Sequence, residues 1–146
     1  MKSFFRLLLV ITILSTSFSA CKKYPDGPTL SIISRKERMA NAWHIAAYYE
    51  NDVDKTSDFK NNFQNAKLVM DKAGNYSLYY KLFGSLDYNE SGNWNFTNDD
   101  KDFVTTPNSS SGSVGTHHIL KLRESELWYK EDPDGSGIVR EYHLKP

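Results

Sequence analysis

From Trp43 to the C-terminus, apolar residues recur at every second position, in short runs broken by turn formers. A period of two gathers alternate side chains on one face of a strand and on no face of a helix, so the pattern excludes a helical bundle. In WHIAAYYEND the alternating set is Trp43, Ile45, Ala47 and Tyr49, and in AKLVMD it is Ala66, Leu68 and Met70. YSLYYKLF contributes Tyr76, Leu78, Tyr80 and Leu82, and GNWNFT contributes Trp94 and Phe96. With KDFVTT, THHILKL, ELWYKED and IVREYHLK the count reaches about eight strands. Turn signals at residues 72–75, 98–100, 123–125 and 132–135 are short, which predicts antiparallel neighbours in sequence order.

Eight up-and-down strands bury one face best by closing on themselves, which also removes exposed edges. The expected fold is therefore all-β: an eight-stranded antiparallel up-and-down barrel with a short N-terminal helix. That helix is announced by SRKE at residues 34–37, a capping box, and is predicted over residues 35–41. The longer polar breaks, residues 51–65 and 107–115, are expected to be loops. A barrel of eight strands has room inside for side chains alone or for one small ligand.

The start of the chain is of a different kind. A basic beginning (Lys2, Arg6) leads into an apolar run and a small-residue stretch ending Phe18-Ser19-Ala20, directly before Cys21. The run is shorter than the ~20 apolar residues a spanning helix needs, and the order is that of a signal peptide. Ser19-Ala20-Cys21 resembles a bacterial lipobox, with Phe18 where an aliphatic residue is usual; the resemblance implies that Cys21 is lipidated. A lone thiol in an oxidising compartment is a liability that diacylation removes, and two chains give a durable anchor where one does not. The expected organisation is a lipoprotein signal peptide over residues 1–20, a lipidated tether over 21–30 and one domain over 31–146. Localisation follows as the cell envelope, lipid-anchored, at the bacterial outer membrane.

Charge narrows the partners. Removing residues 1–20 leaves 16 basic against 18 acidic residues, and a near-neutral chain without a basic stripe argues against nucleic acid. A single cysteine allows no internal disulfide, so an apolar core must hold the domain, and an aromatic content of 14% supplies much of it.

Four segments together are similar to the lipocalin-like domains of bacterial lipoproteins: ISRKERMANAWHI, LVMDKAGNYSL, GNWNF and ILKLRESELWYK. They occur in the family's order, and the resemblance runs from about residue 31 to residue 144, nearly all of the chain after the signal peptide. The departure is Asn41, where the family has glycine two residues before the first tryptophan; asparagine tolerates the left-handed conformation better than most residues. The resemblance implies a barrel that binds a small molecule.

No motif for catalysis accompanies it. His117 and His118 are adjacent and so point to opposite faces of a strand, while His44 and His143 lie on other strands, so no metal site is expected. DPDGSG, residues 132–137, lacks the acidic ladder of a calcium loop and reads as a turn. No nucleophile motif, paired carboxylates or phosphate-binding glycine loop occurs, so neither an enzyme nor a cofactor is expected. The inward parity instead offers Tyr49, Tyr80, Trp94 and Tyr129 as candidate ligand-binding residues, aromatic with polar tips. Trp128 alternates with Leu127 and Tyr129, which puts it on the outer wall as a candidate partner-binding residue. Two functions remain open: a lipid-anchored envelope protein binding a small apolar or glycan-like ligand, and an envelope interaction or inhibitor module with a filled barrel.

Overall fold

The computed structural model describes residues 32–132 and 135–146; Cys21 and the signal, lipidation and tether expectations lie outside them. In chain order come α1 (Arg35–Met39), β1 (Ala42–Glu50), the two-residue β2 (Val53–Asp54), α2 (Thr56–Asn62), β3 (Phe63–Met70), β4 (Asn75–Leu82) and β5 (Leu86–Thr97). Then follow β6 (Asp102–Pro107), β7 (Gly115–Leu122), β8 (Leu127–Glu131) and β9 (Arg140–Lys145). Each strand from β3 to β9 pairs antiparallel with the next, and β1 closes the ring by pairing with both β3 and β9. The result is the expected eight-stranded up-and-down barrel, with β2 as a short addition on the far end of β1.

At one end the barrel is closed by α1. Ser34 Oγ accepts from the Glu37 amide and the Glu37 carboxylate accepts from the Ser34 amide, so the capping box forms as expected. The helix is then tied to three turns: Glu37 pairs with Lys72 at 3.0 Å, Arg35 with Asp100 at 2.6 Å, and Asn41 Nδ2 donates to the Glu124 carbonyl at 3.2 Å. Such exposed ion pairs are each worth under about 1 kcal/mol, so they orient the helix more than they stabilise it. Asn41 does not take the left-handed conformation; its side-chain oxygen accepts from the Ala42 amide at 2.8 Å, a contact that glycine would lack.

Inside that end the packing is dense. Met39, Trp43, Ile119, Leu122 and Leu127 are wholly buried, with Met70, Trp94, Phe103 and Leu144 nearly so. Trp43 donates its indole N–H to the Met39 carbonyl at 2.9 Å, so its one polar atom is satisfied within the plug. Gly92 on β5 has no room for a side chain: a Cβ there would meet the Thr106 carbonyl oxygen at 2.1 Å and the Tyr76 ring at 2.7 Å. The missing side chain is what lets the Tyr76 ring lie against the sheet.

Three register shifts interrupt the alternation, in β1, β3 and β7, and those in β1 and β7 change the face of residues named above. One between Ile45 and Ala47, against β9, inserts a residue into β1, and because side chains alternate, every later residue on that strand changes face. Tyr48 therefore points into the barrel, 6% exposed, with its ring 5.0 Å from that of Tyr142. The inward placement expected for Ala47 and Tyr49 is corrected accordingly: both are on the outer side, with the Tyr49 ring 5.1 Å from His143. A second shift between Ile119 and Lys121 turns Lys121 outward while Leu122 stays in the core.

The segment 51–65, expected to be a loop, holds β2 and α2. Its helix begins without a side-chain cap from Lys55, and the Asp54 carboxylate instead accepts from the Thr56 amide at 2.8 Å. What fixes it is Phe59, whose ring lies 4.7 Å from Tyr48 and 4.8 Å from Phe63.

Replacing Trp43 by alanine empties the centre of the plug and orphans the Met39 carbonyl. The expected cost is about 3–5 kcal/mol of unfolding free energy, a large share of the stability of a domain of this size. Denaturant unfolding of Trp43→Ala with a midpoint equal to wild type would contradict the structural role given to this side chain.

Candidate functional site

Above the plug the barrel is not filled. A cavity of about 320 Å³ runs from Trp43, Leu68 and Leu144 at its floor to Phe59 and Phe63 under the mouth. That volume is at the low end of the range for small-molecule sites, and the lining has their usual make-up, apolar walls with a few polar groups. The walls come from strand alternation. On β4 the inward set is Tyr76, Leu78 and Tyr80; on β5 it includes Glu90; on β7 His117; on β8 Tyr129 and Glu131; on β9 Tyr142 and Leu144.

The polar groups form two clusters. In the first, Glu90 accepts from the hydroxyls of Tyr76 at 2.7 Å and Tyr88 at 2.8 Å, and the Tyr88 ring stacks on Tyr80 with centroids 4.6 Å apart. In the second, the Tyr142 hydroxyl donates to Glu131 at 3.0 Å, and Thr105 Oγ1 lies 3.0 Å from His117 Nε2. His117 Nδ1 lies 2.6 Å from the other Glu131 oxygen, but the angle is poor and no hydrogen bond forms. The His117 ring is further held by stacking on Phe103, centroids 4.4 Å apart.

These surroundings hold the phenols protonated. Burial pushes Tyr129 well above the ordinary tyrosine value, and burial followed by the neighbouring Tyr129 and Glu131 does the same to Tyr142. Tyr76 is raised by burial and by its bond to Glu90. Tyr88 is pushed up to about 12, mainly by its hydrogen bond to the Glu90 carboxylate.

Of the four residues singled out as ligand-binding candidates, Tyr80 and Tyr129 line the cavity. Trp94 faces inward but lies below the cavity in the closed end, 3% exposed, with its indole N–H donating to the Asp71 carbonyl at 3.2 Å. Tyr49 stands on the outer wall, turned there by the extra residue in β1. Trp128 also faces outward. It is clamped between the His143 ring, stacked at 3.9 Å, and the Lys121 ammonium, 3.4 Å from its ring centre, and its large surface is largely covered.

The polar cavity residues outside the four candidates include Glu90, Thr105, His117 and Glu131. The alternation does reach them: stepping back by two from Trp94 passes Gly92 to Glu90, and stepping on from Tyr129 gives Glu131. A polar residue on an inward parity was the available signal. His118 projects outward to Asp102 at 2.6 Å, and among the described residues no group of three or more metal-ligating side chains gathers.

No protein-family model matches the chain, and no curated protein matches it at a significant level. Among solved structures it is similar to a lipocalin-like protein from Bacteroides uniformis, with TM-score 0.54 and 13% identity over 74% of this chain and 97% of that one. It is also similar to an uncharacterized protein from Bacteroides eggerthii, with TM-score 0.50 and 12% identity over 73% of this chain and 98% of that one. At this identity the likeness is one of fold, and the fold is a lipocalin-like barrel.

The raised phenols carry a pH dependence. The folded chain binds these protons more tightly than the unfolded chain, whose tyrosines ionise near pH ~10, so the stabilisation is complete below that pH and is lost as pH rises above it. The urea midpoint is expected to hold steady up to about pH 9 and to fall through pH ~10–12, less steeply in Tyr142→Phe. A midpoint independent of pH over that window, or an identical fall in the variant, would contradict the assignment.

Proposed function

We propose that this chain is a lipid-anchored protein of the bacterial cell envelope that binds one small apolar or glycan-like molecule inside its barrel. The observation that carries the binding reading is the cavity of about 320 Å³ within a closed barrel, walled by leucine and aromatic side chains and edged by tyrosine hydroxyls and carboxylates. A core evolved only for stability would be packed to near-crystalline density with few voids larger than a water molecule. The anchoring reading rests on the sequence order before Cys21 and on the turn-rich tether of residues 21–30.

The alternative, a filled barrel that docks onto a protein through Trp128, has less support. The upper half of the barrel holds space, and the Trp128 ring is already covered on both faces by Lys121 and His143.

Binding is tested with the uncharged fluorophore N-phenyl-1-naphthylamine, whose emission rises in apolar surroundings. Saturable enhancement is expected for the wild-type domain, abolished in Leu78→Trp, which fills the cavity, and retained in Trp128→Ala on the outer wall. No enhancement, or one indifferent to Leu78→Trp, would send the reading to the docking alternative. Anchoring is tested separately: Cys21→Ser should leave the membrane fraction or accumulate unprocessed, and unchanged membrane association would refute it.

A further inference from the structure

The two carboxylates in the cavity differ in how they are compensated. Glu131 sits directly opposite the Arg140 cation in the β8–β9 register and accepts from the Tyr142 hydroxyl at 3.0 Å. Glu90 has only the two phenol donors, Tyr76 and Tyr88. No ion pair reaches it among the described residues. Lys67 also borders the cavity, but it is in register with Tyr79, whose hydroxyl bonds the exposed Asp87, whereas the adjacent Leu68 and Leu78 form the inward pair. Lys67 therefore belongs to the outward set and leaves Glu90 without a cation.

The surroundings of Glu90 are aromatic. Tyr76 and Tyr88 hold its two oxygens, Tyr80 stacks on Tyr88, and Phe63 meets Tyr80 edge to face with centroids 5.2 Å apart. Each carboxylate oxygen accepts one phenol and keeps a second acceptor site. The Glu90 charge is felt by its neighbours, since it contributes to holding the phenols of Tyr76, Tyr80 and Tyr88 protonated. A carboxylate among aromatic rings is the chemistry that recognises an organic ammonium, through a charge-assisted hydrogen bond, with cation–π attraction from any ring face the head meets. The same charge opposes a ligand that brings its own carboxylate into the cavity.

Building on the cavity reading, we propose that the ligand is an amphipathic molecule with an aromatic or aliphatic body and an ammonium head, the head placed at Glu90 and the body running toward Leu68, Leu78 and Trp43. Fatty acids and other apolar anions are disfavoured occupants. Glu90 sets this selection, and Glu131, which faces Arg140 across the β8–β9 register and accepts from the Tyr142 hydroxyl, does not.

The test uses three probes that share one ring system, 2-(2-naphthyl)ethylamine, 2-(2-naphthyl)ethanol and 2-naphthylacetate, titrated calorimetrically against the purified domain at neutral pH. The amine is expected to bind about tenfold or more tighter than the acid, with the alcohol between. Glu90→Gln should collapse the amine-to-acid ratio toward one while binding the alcohol as wild type does; its melting temperature shows whether it is folded. Acid binding as tight as amine binding in the wild-type protein would overturn the inference while leaving the cavity reading intact. So would an unchanged ratio in a folded Glu90→Gln. Failure of all three probes to bind would overturn the inference together with the reading on which it rests.

Discussion

Everything in this molecule depends on β1 serving two neighbours. Its first residues, Ala42 to His44, pair with β3, and from His44 onward it pairs with β9. An open sheet of this size would leave two edges of unpaired amides and carbonyls, and closure removes both. The inserted residue between Ile45 and Ala47 lies on this same strand, where an added residue bends the strand and increases its twist. The bulge thus accompanies closure and decides that Tyr48 faces the interior and Tyr49 does not.

Within the closed ring, the lower and upper halves are built for different ends. Below, tryptophan, methionine, leucine, isoleucine and phenylalanine fill the space, and their polar atoms are spent locally, as when Trp43 and Trp94 donate to the carbonyls of Met39 and Asp71. Above, the inward positions carry tyrosines, two glutamates and a histidine, which pair with one another around empty volume. Such groups are costly to bury unless satisfied, and here Glu90 and Glu131 accept from the phenols of Tyr76, Tyr88 and Tyr142.

The barrel itself was legible because its strands alternate strongly and its turns carry their own chemistry: residues 71–75 close around Asp71, which accepts from the Asn75 amide at 2.8 Å, and Gly74 takes φ +97°. The capping box of α1 was legible for the same reason, since four local residues determine it. Tyr49 was misplaced because a bulge is a property of two strands together, and AAYY reads as an uninterrupted strand by itself. Helix α2 was hidden because Phe59 alone marks its apolar side, and its ring partners Tyr48 and Tyr142 lie on strands outside the segment. Glu90 was visible only as one scattered carboxylate, because its importance comes from tyrosines on two strands converging on it.

The fastening of α1 to three turns also gives the molecule a polarity. The chain leaves the barrel toward residue 32 at the closed end, and β9 finishes there too, with Lys145 opposite His44. The mouth, under α2, lies at the other pole. Residues 32 and 145, where the described chain enters and leaves the barrel, thus both lie behind it, at the pole away from the opening.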